Sequence, residues 1–276
     1  MREADHPVAA RWDTHVHVFD GAAPVAPGHY RPLHRPLAEI EALAQGNGFE
    51  RLVLVQPSVY GTDNTVLLNA LRSGGGRHRG VVVTGPEVSD AALRDMHDLG
   101  VRGVRFNLVS PVGSSDAGEV AAAFHALAPR LRALDWHVQW YARPADLPLV
   151  AALHEQPDAA GIPAVLDHLA GMHARLPANN PAWQTLKDLA RRGAWIKLSG
   201  WYRLQAAAPY TALDLAIGRV AGLFAGRMVW GSDWPHTSFP VDALPPYAGN
   251  WEPVTRVLPA PQQNDAASLA PDRLYA

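Results

Sequence analysis

The sequence contains no cysteine, and this one absence excludes disulfides, thiolate metal sites and a cysteine nucleophile. It also fits a reducing compartment. Lysine is nearly as scarce: Lys187 and Lys197 are the only two, so almost every cationic side chain is an arginine. With a formal net charge of -2 and no run of five like charges, the chain has no field suited to nucleic acid or an anionic membrane. No apolar stretch approaches the roughly 20 residues that span a bilayer, and the opening MREADHPVAARWDTH has no apolar leader core. The expected setting is cytoplasmic and the expected partner a small molecule; oligomeric state has no signature in the pattern. A G-x-S-x-G nucleophile elbow and an H-E-x-x-H zinc helix are both missing, and neither lysine follows a glycine as a phosphate-binding loop requires.

What is present is an apolar-rich chain of 276 residues, 48% hydrophobic and 18% charged, able to bury a large core. Eight short runs of β-branched, aliphatic and aromatic residues recur along it. They are Trp12–Phe19, Leu52–Gln56, Gly80–Thr84, Val101–Asn107, His137–Tyr141, Ala164–His168, Trp195–Ser199 and Met228–Gly231. Helical patterns separate them over Leu37–Gln45, Thr65–Arg72, Asp90–Leu99, Ala117–Leu134, Leu147–Glu155, Trp183–Arg191 and Tyr210–Phe224. Eight regular β/α units predict a single-domain (β/α)8 TIM barrel over residues 1–276, since a barrel of this class commonly takes about 250 residues. An open parallel sheet is the architectural alternative. The proline-rich stretches Gly21–Pro36 and Pro235–Pro261 read as long loops.

Strand geometry then selects candidate residues. Side chains two apart share a face, so His15 and His17 project together near the C-terminal end of the first strand, where barrels carry their active sites. Closure would bring the eighth strand beside the first, and with it Asp233 of the segment Trp230–His236. A carboxylate with two imidazoles can bind a divalent cation or form a proton-transfer cluster. The bland alternative has Asp233 capping a turn. His168, after Asp167 at the end of the sixth strand, would face the same mouth, with Asp167 buried or orienting an imidazole.

Six segments in order carry a more specific signal. Trp12–His17, Val55–Asn64, Gly103–Asn107, Asp167–His168, Lys197–Arg203 and Trp230–His236 resemble the amidohydrolase-2 family, especially the branch of 2-pyrone-4,6-dicarboxylate hydrolases and sugar-acid lactonases. The resemblance runs from Trp12 to about His236 and weakens after it, where only Asp272–Tyr275 matches the family's usual ending. It implies a lactonase in which Asp233 acts as general base while His15, His17 and His168 polarise the carbonyl or stabilise the oxyanion. Arg105 and Arg203 would hold substrate carboxylate or hydroxyl groups, with Ser58, Tyr141, Tyr30 and His236 as further substrate contacts.

The chain departs from the wider family in two respects. Neither lysine fits the bridging role of dinuclear members, Lys187 lying on a helix and Lys197 in a strand-seven segment shared with the lactonase branch. On strand five His137 sits at the wrong end for a ligand, which argues against a binuclear site, and the resemblance to a lactonase branch that includes metal-independent enzymes implies that no metal is required. His15, His17 and Asp233 could still hold one divalent ion such as zinc. The loop Leu108–Gly113 lacks an arginine that would receive a second carboxylate, which favours a hydroxylated or monocarboxylated lactone. A metal-dependent decarboxylase of the same superfamily and an inactive barrel that only binds an organic acid are the competing readings.

Overall fold

The computed structural model describes residues 10–27, 29–109 and 116–276. Its eight strands are β1 Trp12–Val16, β2 Arg51–Val55, β3 Arg79–Val82, β4 Val101–Asn107, β5 His137–Tyr141, β6 Ala164–Leu166, β7 Trp195–Leu198 and β8 Met228–Trp230. They form one parallel sheet in the order β1 to β8. The helices are α1 Leu37–Gly46, α2 Thr65–Ser73, α3 Asp90–Asp98, α4 Ala117–Ala133, α5 Leu147–His154, α6 Ala182–Arg191, α7 Asp214–Leu223, α8 Glu252–Val257, α9 Ala260–Asn264 and α10 Ala270–Tyr275. This is the (β/α)8 barrel that the eight-fold alternation predicted. The helix starts follow side-chain chemistry: Ser89 accepts from the Ala92 amide at 3.1 Å and Asp116 from the Glu119 amide at 2.9 Å, each satisfying a donor the first turn leaves free.

Strand alternation divides the core. Leu52 and Leu54 of β2, and Met228 and Trp230 of β8, pack outward into the large helix-facing cluster. Val53, Val55, Val81 and Val229 turn inward and meet Trp12 and Tyr275. Tyr275 comes from α10, so the C-terminal helix plugs the floor of the barrel, its ring 6.1 Å from that of Trp12. The ring closes through the chain just beyond β8. The His17 amide donates to the Trp234 carbonyl at 2.9 Å and the Asp233 amide to the His15 carbonyl at 2.8 Å.

Several boundaries differ from the sequence reading. β1 ends at Val16, with a shift of register between Asp13 and Val16, and His17 lies just past it. β6 ends at Leu166, so Asp167 and His168 belong to the turn that follows. The stretch Pro235–Pro261 is not simply loop: α8 and the short turns Val241–Ala243 and Ala248–Asn250 lie within it. Apolar anchors hold it down, Tyr247 and Val254 being buried. Proline at the first turn of α8 starts that helix without losing a bond. No helix among the described residues is long and apolar enough to cross a membrane.

Candidate active site

The backbone turns sharply where the candidate residues emerge. His168, Leu169 and Ala170 are all left-handed, with φ of 49, 50 and 55°, and Asp233 stands at 62°. A non-glycine residue in this region costs about 1–2 kcal/mol. Four of them at two strand ends are the kind of local strain that clusters at functional sites. Gly200, at φ 61°, allows the close approach: a β-carbon there would overlap the His168 ring.

Asp233 is buried and its two oxygens are treated differently. Oδ2 accepts from Tyr202 Oη at 2.8 Å and from Arg203 Nε at 2.6 Å. Oδ1 has no hydrogen bond and lies 3.5 Å from His17 Nε2 and 3.6 Å from His15 Nε2. Burial alone would raise this carboxyl, but the neighbouring groups, Arg203 foremost, outweigh it and hold Asp233 well below the usual carboxylate range. Asp233 is therefore ionised and points one bare oxygen at two imidazole nitrogens.

The proton positions on those rings follow from their other partners. His17 Nδ1 lies 2.8 Å from the Val55 carbonyl, which can only accept, so Nδ1 carries a proton. In the neutral ring Nε2 is then an acceptor. Burial pushes His15 well below the ordinary imidazole value despite Asp167 nearby, so this ring is neutral. Its Nδ1 lies 3.3 Å from Asp167 Oδ1. His168 is pushed down to about 4, chiefly by burial, and its Nδ1 is 2.9 Å from Ser199 Oγ.

Beneath the mouth lies a buried polar layer. Asp167 Oδ2 accepts from Arg105 Nε at 3.1 Å and Gln139 Nε2 at 3.0 Å. Lys197 Nζ donates to the Thr14 carbonyl at 2.8 Å and to Gln139 Oε1 at 2.7 Å. Burial lowers the Lys197 amine to about 8. Asp167 is held well below its ordinary value because His15, Arg105 and Lys197 overcome the effect of its burial. Asp13, raised by burial to about 6, anchors the backbone by accepting from the Ser232 amide at 2.9 Å and from Tyr247 Oη at 2.8 Å.

Above this layer opens a cavity of about 380 Å³, lined by His17, Ser58, Arg105, Tyr141, Arg203 and Tyr30 among others. Six of the ten residues selected from sequence thus line one cavity, and His15, His168 and Asp233 lie buried at its base. Ser58 Oγ accepts from Asn107 Nδ2 at 2.7 Å. The guanidinium carbons of Arg105 and Arg203 stand 5.2 and 6.0 Å from the centre of the Tyr141 ring. Tyr30, 51% exposed, lines the rim.

His236 is the exception. The turn after β8 folds back, the His236 amide donating to the Asp233 carbonyl at 3.1 Å. Its Nε2 is thereby brought to the Ser232 carbonyl at 3.0 Å and the Asn250 amide nitrogen at 3.1 Å, away from the cavity. Of the arginine-free loop Leu108–Gly113, residues 110–113 lie outside the described residues. His137 sits on the floor side of β5, its ring 5.4 Å from that of Tyr275.

Sequence reasoning missed Tyr202, Gln139 and the part played by Lys197. A signal for the last two existed. Gln139 lies two residues from Tyr141 on one strand face, and Lys197 is the single cation in the otherwise apolar β7. Tyr202 lies within the segment Lys197–Arg203, but its contact with Asp233 is what distinguishes it there.

His15, His17 and Asp233 offer donor atoms that all lie within 4.8 Å of one another. Two imidazoles and a carboxylate, with Asp233 Oδ1 and His15 Nε2 buried and unpartnered, suit a divalent ion such as zinc. These three residues could therefore hold a metal.

Comparison with known proteins places this geometry. A family model described as Amidohydrolase matches residues 12–276, so the similarity extends through the C-terminal helices and not only to His236. A 4-sulfomuconolactone hydrolase of Rhizobium radiobacter is 33% identical over 233 residues, 83% of this chain and 76% of its own. A 2-pyrone-4,6-dicarboxylate hydrolase of Comamonas testosteroni is 33% identical over 239 residues, 81% of this chain and 76% of its own. A solved Pseudomonas putida structure, provisionally described as a 2-pyrone-4,6-dicarboxylic acid hydrolase, superposes with a TM-score of 0.84 at 31% identity, covering 97% of each chain.

Proposed function

The chain belongs to the amidohydrolase family, and from that premise we propose that it is a hydrolase opening the ring of a small carboxylated or hydroxylated lactone, with Asp233 as general base. The observation that carries the mechanism is the asymmetry of Asp233: one oxygen pinned by Tyr202 and Arg203, the other bare and facing His15 and His17.

Asp233 Oδ1 and the two Nε2 atoms form a set of acceptors. A water seated among them must donate its protons inward, which turns an oxygen lone pair toward the cavity. This gives His15 and His17 the task of orienting water and leaves the carbonyl to other donors. The water oxygen bonds to the lactone carbonyl carbon as its proton passes to Asp233 Oδ1. Charge gathers on the carbonyl oxygen, where Arg105, Arg203 and a His168 N–H can stabilise it. The ring C–O bond then breaks and the proton on Asp233 moves to the leaving oxygen, so that lactone and water become an open-chain hydroxy acid.

No bridging lysine or mouth-facing histidine on β5 supplements the three donors, and an ionised Asp233 is a base in its own right, so the reading requires no metal. If a divalent ion is held by His15, His17 and Asp233, it supplies Lewis-acid polarisation and a more acidic water.

Arg105 and Arg203 each commit Nε to a buried carboxylate. Their remaining N–H groups suit one substrate carboxylate or several hydroxyls. The residues 108–115, LVSPVGSS, add no cation. A substrate with one carboxylate fits this inventory better than a dicarboxylate. The partner is thus a small molecule, and nothing in the charge distribution suits nucleic acid or membrane. Cytoplasmic residence accords with the absence of cysteine.

The test is a proton-release screen against aldonolactones, muconolactones and pyrone carboxylates, with and without chelator. Ring opening of at least one lactone in chelator is expected. Stoichiometric zinc lost together with activity would replace this mechanism by a metal-assisted one. Decarboxylation without ring opening would reject the function, and binding with no turnover on any cyclic ester would indicate an inactive organic-acid-binding barrel.

A further inference from the structure

Lys197 has no part in the chemistry just described, yet it is fully buried in the barrel, directly under His15. Leaving an ammonium there without purpose would be costly. Its contacts are directional. One N–H is fixed by the Thr14 carbonyl at 2.8 Å and another by Gln139 Oε1 at 2.7 Å. The second bond decides how the Gln139 amide lies, because a lysine can only donate and must face the oxygen. Gln139 Nε2 is thereby turned to Asp167, donating to Oδ2 at 3.0 Å beside Arg105 Nε at 3.1 Å. With Oδ2 occupied twice, Asp167 presents Oδ1 to His15 Nδ1 at 3.3 Å.

The Lys197 amine is itself 3.5 Å from His15 Nδ1 and could in principle donate to it. Two considerations decide against that arrangement. It is the longer contact, and Asp167 Oδ1, a buried carboxylate oxygen with no hydrogen bond and with Lys197 Nζ no nearer than 3.9 Å, has its nearest potential donor in His15 Nδ1 at 3.3 Å. His15 therefore carries its proton on Nδ1 and offers Nε2 as an acceptor beside Asp233.

We infer that Lys197 is a positioning residue whose hydrogen bond to Gln139 sets the orientation of Asp167 and, through it, which nitrogen of His15 bears the proton. The relay runs from Lys197 through Gln139 and Asp167 to His15, across β7, β5, the turn after β6 and β1. It rests on the proposed role of His15 as a water-orienting acceptor, but the proton position can be read without any substrate.

The experiment is nitrogen NMR of the full-length protein with 15N-labelled histidine, with the His15 ring assigned by its loss in His15→Gln. In the native protein the shifts should show a protonated Nδ1 and an unprotonated Nε2. In Lys197→Met and Gln139→Met that pattern should be lost or mixed. Ring opening should slow by about 10- to 100-fold, as supporting-residue changes commonly do, in kcat with KM little altered. The double variant should be no slower than the slower single, because both changes cut the same relay. If Lys197→Met fails to fold, Gln139→Met carries the test alone, since it leaves the bond to Thr14 in place. An unchanged His15 pattern in the folded variants, or losses that multiply in the double variant, would overturn the inference. Failure of Asp233 as the base would show instead in an active Asp233→Asn protein whose His15 proton still moves between the same two ring nitrogens on mutating Gln139.

Discussion

Replacing Asp233 by asparagine is the sharpest perturbation because it removes the base and nearly preserves the shape. The asparagine oxygen can keep the bonds from Tyr202 and Arg203, now at 2.8 and 2.6 Å from Oδ2. Its amide then faces His15 Nε2 and His17 Nε2, the acceptors at 3.6 and 3.5 Å from the present Oδ1. An amide donor at the place of Oδ1 competes for the acceptors that orient the water and cannot take a proton. General-base catalysis commonly contributes about 10²- to 10⁴-fold, or about 3–5 kcal/mol of barrier. The expected result is a fall of that size in kcat on a lactone that the native enzyme opens, followed by proton release in a weakly buffered indicator solution. KM should move by far less, and a bound carboxylic-acid ligand should still protect the variant against heat. Native turnover in an Asp233→Asn protein that binds ligand equally well would refute the reasoning outright.

Other perturbations separate geometry from charge. Gly200→Ala places a β-carbon against the His168 ring and forces a left-handed alanine, so activity should fall by about 100-fold for a displacement near 1 Å, with a loss of about 1–2 kcal/mol in urea unfolding. Wild-type kinetics in a folded Gly200→Ala variant would show that His168 need not sit where it does. Acid should weaken the fold in a defined window. His168 is lowered from 6.5 to about 4 and His137 to about 3 by burial, so below pH 6.5 the unfolded chain takes up protons that the folded one refuses. Stability is therefore lost as pH falls from 6.5 toward 4, by about 3 kcal/mol for His168 and a similar amount for His137. Asp13, raised to about 6, takes up its proton first in the folded state and offsets about 3 kcal/mol of this, leaving a net loss. The depressed Asp167 and Asp233 add losses only below the ordinary carboxylate range. A urea midpoint that is flat between pH 7 and 4.5 would contradict this. Finally, monocarboxylated lactones should be opened with kcat/KM at least about 100-fold above dicarboxylated pyrones, since an unpaired buried carboxylate costs several kcal/mol. Equal values for the two classes would disprove the substrate reading.

The sequence by itself determined what is local. Short continuous runs of β-branched, aliphatic and aromatic residues marked β2 and β8, the spacing of eight such runs implied the barrel, and the pair His15 and His17 was legible because residues two apart on a strand must share a face. Even Asp233 could be reached this way, since barrel closure obliges β8 to lie beside β1. Boundaries failed where a backbone turn ended a strand early, as at Asp167 and His168, and the C-terminal helices were illegible because proline and short length hid their periodicity. Only the tertiary structure decided what each of these groups can do. His236 follows Asp233 by three residues yet turns to Ser232, because its turn closes on its own hydrogen bond. Tyr202, though inside the segment Lys197–Arg203, and Gln139 acquire their meaning from contacts across the barrel. Whether an imidazole donates, accepts or binds an ion depends on the partner of its other nitrogen. For His17 that partner is the Val55 carbonyl, 38 positions away, and for His15 it is a carboxylate from the turn after β6, oriented through Gln139 by Lys197. Hydrogen bonds are short-ranged and directional, so a sequence can supply the groups, but only the closed barrel can set which atom faces which.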